Sequence, residues 1–118
     1  MGSTKVLLLR LLATTAMAGC VHTPPPLYQW GSYEDQLYVI YTDAGKVPLE
    51  SQLQNLEADY QHIRASKGAV PPGFHAHLGY LYFQMGKADQ ALQSFETEKS
   101  LFSESTVFMD HLIARIKH

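Results

Sequence analysis

The side chains able to do chemistry here are six histidines, several paired carboxylates and one cysteine. His75 and His77 invite a metal reading, because imidazole is the commonest protein ligand for transition metals. Two apart on a helix, they would point about 200° from each other and cannot share an ion; zinc-binding helices use i and i+4. No Cys, Asp or Glu stands at ligand spacing beside either, and His62 would have to be brought in by the fold. The carboxylate pairs Glu34-Asp35, Glu57-Asp59 and Glu96-Glu98 fall on segments that otherwise read as solvated helix faces. Glycoside hydrolysis needs two carboxylates facing one cleft, one of them desolvated. There is no glycine-rich phosphate loop, and no Ser or Cys nucleophile has a base partner. The expectation is therefore no catalytic site, no metal site, no cofactor and no small-molecule substrate.

The aromatic residues say more. Tyr28, Trp30, Tyr33, Tyr38, Tyr41 and Tyr60 all lie within the first 60 residues. A two-helix unit cannot bury all of them, and aromatics with one polar end are what interface cores use. Two readings stay open: the core of an oversized hairpin, or a partner-binding patch made of Tyr28, Trp30, Tyr33, Tyr38 and Tyr41.

Among 118 residues, 46% are apolar and 17% charged, which fits one folded domain. Lys5 and Arg10 flank and interrupt the apolar run VLLLRLLATTAMA, which ends in small residues and reads as an export signal over residues 1–19. Without it the remainder carries seven Lys and Arg against eleven Asp and Glu, a charge of about −4 that argues against nucleic acid. A lone cysteine in an exported chain is free, linked to another chain, or modified. Met17-Ala18-Gly19-Cys20 resembles the lipobox of bacterial lipoproteins, in which the cysteine is acylated and becomes the N-terminus. Val21 stands where inner-membrane lipoproteins often have Asp, so the resemblance implies the outer membrane, lipid-anchored and facing the periplasm. Pro24, Pro25 and Pro26 then favour an extended tether over residues 20–31, whose Leu27, Tyr28 and Trp30 supply enough apolar surface to lie back on the domain.

Residues 32–118 read as all-α. Ser32 and Asp35 look like a capping-box variant before a helix over Tyr33 to Thr42, with Leu37, Tyr38 and Tyr41 on one face and Gly45 as stop. Leu49, Leu53, Leu56, Tyr60 and Ile63 recur at helical spacing behind Pro48, and Gly68 closes that helix. Ala69-Val70-Pro71-Pro72-Gly73 is a stiff connector. A last helix, about Glu104 to Lys117, should have Ser103 as N-cap and bury Phe108, Leu112 and Ile116. Between them, Phe74 to Phe95 resembles a tetratricopeptide hairpin through Leu78, Gly79, Tyr82, Gly86, Ala91 and Phe95. Gly79 and Ala91 are small enough to let two helices touch, while Leu78, Tyr82 and Phe95 fill the seam. Leu37 and Tyr41 stand 41 residues before Leu78 and Tyr82, against a usual period of about 34. The resulting expectation is two tetratricopeptide-like hairpins, the first degenerate and lengthened, plus a C-terminal capping helix. His75 at the Trp position, Glu98 at a later Ala position and Ser103 at the closing Pro depart from the repeat pattern.

The stretches CVHTPPPLYQWGSYEDQLY, VPPGFHAHLGYLY and FETEKSLFSESTVFMD resemble a family of short Gram-negative lipoproteins known as domain of unknown function 4810, which usually has Pro where this chain has Ser103. Members of that family tend to be encoded beside other lipoproteins, including one similar to the curli secretion channel. What the resemblance implies is a non-catalytic assembly subunit of a cell-envelope lipoprotein complex, partnered with other envelope lipoproteins or periplasmic proteins. Two alternatives are an adaptor for peptidoglycan enzymes and a small-ligand or metal carrier.

Overall fold

A computed structural model describes residues 19–118; residues 1–18, and with them most of the expected export signal, lie outside the described residues. The described chain is helical throughout, as the all-α reading predicts. We number its helices α1 (Tyr33–Thr42), α2 (Leu49–Ala65), α3 (Phe74–Gln84), α4 (Ala88–Leu101) and α5 (Thr106–Lys117), with a 3-10 turn at Ser103–Ser105 before α5. Each helix reverses the direction of the last, so the molecule has two ends. One gathers residues 28–31, the connector 66–73 and the turn 102–105, joined by the Gln29–Ala69 and Ser66–Gln29 hydrogen bonds and the Tyr28–Phe102 contact; the loop 43–48, the turn at Gly86 and the C-terminus lie at the opposite termini of the same helices.

The α3–α4 pair forms the most extensive interface, and α5 packs on α4. A Cβ on Gly79 would stand 2.6 Å from Cε1 of Phe95 and 3.2 Å from the carbonyl oxygen of Ala91, so the hairpin closes only because glycine has no side chain there. Leu78, Tyr82, Ala91 and Phe95 are buried around it. Gly86 serves conformation instead, with φ +73 and open space where a Cβ would be. Its amide donates to the Phe83 carbonyl, and that of Lys87 to Tyr82, which satisfies the last carbonyls of α3. Leu53, Leu56 and Ile63 of α2, Phe74 and Leu81 of α3, and Met109 and Ile113 of α5 complete one continuous core.

Several local expectations are corrected. Helix α2 does not end on Gly68: Lys67 takes the left-handed conformation at φ 57, and the amides of Lys67 and Gly68 close the helix on Arg64 and Ile63. Leu49, in its first turn, is exposed. The capping box at Ser32 is absent; its hydroxyl donates 2.7 Å to Oδ2 of Asp59 on α2, and the Gln36 carboxamide donates to the same oxygen at 2.9 Å. On α1 the inward residues are Tyr33 and Leu37, while Tyr38 and Tyr41 turn out. On α5 the buried pair is Met109 and Ile113, flanked by Leu112 and Ile116, and Phe108 points to solvent. Ser103 does not cap α5 with its side chain; its carbonyl accepts the Thr106 hydroxyl at 2.7 Å.

The carboxylates differ most from expectation. Glu98, read as part of a solvated pair, is 1% exposed. Its Oε1 accepts the amide of Gly73 at 2.6 Å and its Oε2 that of Ala76 at 3.3 Å, so a side chain of α4 satisfies the free amides at the start of α3. Glu57 accepts the Tyr82 hydroxyl at 2.5 Å and Asp59 holds Ser32 and Gln36. Each of the three joins one helix to another.

Candidate functional site

Residues 28–31 form a strap across the end of the helices. The Gln29 amide donates to the Ala69 carbonyl at 2.8 Å, and the Ser66 hydroxyl donates to Oε1 of Gln29 at 2.7 Å. Gly68 makes room for that side chain, since a Cβ there would lie 2.3 Å from Cδ of Gln29. Tyr28 meets Phe102 edge-to-face at 6.0 Å, and Trp30 stacks on Tyr33 at 6.3 Å. Of the expected tether, only residues 28–31 lie back on the domain; residues 20–27, Leu27 among them, are exposed, and Trp30 stays partly so.

Beside the strap runs a groove between α2 and α4 with α3 as its floor. One recess of about 610 Å³ lies over His75, Leu78 and Tyr82, between Gln54, Gln61 and Arg64 on α2 and Gln90, Gln93 and Thr97 on α4. A second, of about 530 Å³, shares Tyr60, Arg64, His75 and Thr97 with the first and runs on to Tyr28 and Phe102. Four carboxamides and one guanidinium line this groove, and the Arg64 guanidinium lies 5.6 Å from the centre of the Tyr60 ring. Burial lowers the pKa of His75 and of His77, keeping both imidazoles neutral near pH 7. Burial and the hydrogen bond to Glu57 raise Tyr82 to about 12, and burial, with the charge of Glu98 behind it, raises Tyr33 to about 12. Such a lining can hydrogen-bond a polar ligand or a peptide backbone. Among the described residues no three or more His, Cys, Asp or Glu converge as a metal site would require.

The five aromatic candidates separate. Tyr33 is a core residue, meeting Phe74 at 5.2 Å and His77 at 5.8 Å. Tyr28 and Trp30 are partly covered in the strap. Tyr38 and Tyr41 stand in water at 70% and 82% exposure on the outer side of α1. Between α1 and α2 a further recess of about 410 Å³ is lined by Val39, Ile40 and Val47. Of the six packing residues read from the sequence, Leu78, Gly79, Tyr82, Ala91 and Phe95 are buried in the hairpin, whereas Gly86 is exposed and packs on nothing; the free thiol of Cys20 is exposed.

Sequence reasoning missed Tyr80 and Phe83. Both are partly exposed on the side of α3 away from its buried face, and with Leu112, Arg115 and Ile116 of α5 they border a cleft of about 220 Å³. Their i, i+3 spacing on the side opposite Leu78 was the available signal.

Residues 27–112 match the family model of the domain of unknown function (DUF4810). The chain belongs to this family. The DUF4810 segment begins at Leu27, just before the strap, and reaches Leu112 in α5, so it takes in the strap, the groove and both aromatic surfaces. No curated protein and no solved structure matches the chain significantly.

Proposed function

We propose that this protein is a non-catalytic assembly subunit of an outer-membrane lipoprotein complex, held at the periplasmic face by an acyl group on Cys20. Partners dock on its aromatic surfaces. The observation that carries this reading is the exposure of Tyr38 and Tyr41 on a ten-residue helix whose inward side is already filled by Tyr33 and Leu37. Tyrosines left in water beside a complete core are suited to an interface, where a ring supplies area and a hydroxyl supplies a hydrogen bond. The lipobox-like Met17-Ala18-Gly19-Cys20 and the tether behind it support the membrane location, with no helix among the described residues long and apolar enough to cross a membrane.

A photo-crosslinking residue at position 41, used in intact cells and read by mass spectrometry, tests the proposal. Another envelope lipoprotein, such as one similar to the curli secretion channel, is the expected product. A peptidoglycan synthase or hydrolase would instead make the protein an adaptor for wall enzymes. Alanine at Tyr38 and Tyr41 should abolish co-purification with helicity unchanged. Stoichiometric metal or small molecule in protein purified without a histidine tag would favour a carrier using the α2–α4 groove.

A further inference from the structure

The end of the domain that carries the strap bears apolar side chains with nothing over them. Leu101, in the last turn of α4, is 54% exposed; Val107 and Phe108, in the first turn of α5, are 84% and 62% exposed. Leu27, just before the strap, is 79% exposed. Leu101 borders the same recess as Tyr28 and Phe102, and only the short 3-10 turn separates Phe102 from α5, so the four side chains belong to one end of the molecule. None has the polar tip that lets Tyr38 and Tyr41 tolerate water. Exposed apolar groups gathered at one end of a molecule mark a contact surface.

We infer that this end is a membrane-contact surface, with Leu27, Leu101, Val107 and Phe108 entering the interface of the phospholipid bilayer that holds Cys20. The inference rests on the acyl anchor of the proposed function. The tether says what covers the patch: Tyr28 lies eight positions after Cys20, and at the polyproline rise of about 3.1 Å per residue the tether keeps the strap within about 25 Å of the lipid. The strap leaves the domain at this end, so this end meets the bilayer first. Leu and Phe partition into the headgroup–acyl boundary, as they do on interfacial helices. Arg64 and Lys67 stand against Glu34, Asp35 and Glu104 among the exposed charges of this end, so it has no cationic surplus and the attraction is apolar rather than electrostatic. Binding should therefore not weaken as salt is raised. Seated this way, the domain turns the loop 43–48 and the Tyr41 end of α1 away from the lipid, toward partners.

The test uses the full acylated chain carrying Val107→Cys, labelled with an environment-sensitive fluorophore, in phosphatidylethanolamine–phosphatidylglycerol vesicles containing doxyl-quencher lipids. Emission from position 107 should shift blue and be quenched, whereas a label at Tyr41→Cys keeps its aqueous spectrum. Adding Leu101→Ser and Phe108→Ser, both solvent-facing and so compatible with the fold, should cut the quenching several-fold with unchanged circular dichroism. If the N-terminal peptide has the mass of an acylated cysteine but position 107 behaves as position 41 does, the membrane surface is refuted and the anchor stands. A non-acylated N-terminal peptide removes the anchor and this inference with it. A blue shift that follows protein concentration without lipid would assign the patch to a second copy of the chain and overturn the inference.

Discussion

The Glu98 carboxylate accepts the amide of Gly73 at 2.6 Å across 25 residues of sequence, and by doing so fixes where α3 begins. Gly73 holds φ +90 as the residue before the helix, and its own position has no side chain able to cap. Replacing Glu98 with Ala would leave the amides of Gly73 and Ala76 without their buried acceptor. We expect a loss of about 2 to 3 kcal/mol in chemical denaturation, with Glu98→Gln losing less because one oxygen remains.

Gly79→Ala should be destabilising despite the higher helix propensity of alanine. The new methyl would press on the Phe95 ring and the Ala91 carbonyl, and overpacking of this sort costs about 1 to 3 kcal/mol. A thermal melt should show the drop; Gly79→Ala combined with Phe95→Leu should recover part of it.

Lys67→Gly should stabilise the fold by about 0.5 to 1 kcal/mol. A side chain in the left-handed region carries a steric cost that glycine lacks, offset partly by the greater freedom of glycine in the unfolded chain. Neighbouring Gly68→Ala should do the opposite, by displacing Gln29 and loosening the strap, visible as a change in the fluorescence of Trp30.

Stability should fall on both sides of a plateau between about pH 6.5 and pH 10. His75 and His77 have lowered folded pKa values, so the unfolded chain binds protons more readily and acid below pH 6.5 favours unfolding. Tyr33 and Tyr82 have folded values raised to about 12, so their contribution is whole below pH 10 and is lost as pH rises from 10 to 12. Tyr82→Phe should flatten the alkaline limb and His75→Phe the acid limb in denaturant titrations.

Tyr33 and Tyr41 lie eight residues apart on one helix and should respond differently to alanine. Tyr33→Ala removes a core ring and should cost about 3 kcal/mol or more, whereas Tyr41→Ala should stay within about 0.5 kcal/mol. Equal costs would place Tyr41 in the core and remove it as a docking residue.

What the sequence determined by itself had a cause within one helix or one hairpin. The bounds of α1, the glycine turn at Gly86 and the contact of Gly79 with Phe95 follow from apolar spacing, from φ requirements and from side-chain volume, although the caps at Ser32 and Ser103 and the stop at Gly68 did not form as read. The candidate surface was legible only in part: five aromatics were visible, but not that Tyr33 goes inward and Tyr41 outward, or that Tyr80 and Phe83 border a cleft. Tertiary structure decided those, because residues 33, 37 and 41 share a helical face and the neighbouring α2 and α3 cover only part of it. It also decided that Glu57, Asp59 and Glu98 join helices rather than face water. A carboxylate's role depends on the donors it meets, and the amides of Gly73 and Ala76, like the hydroxyls of Ser32 and Tyr82, are brought to these side chains only by the packed fold.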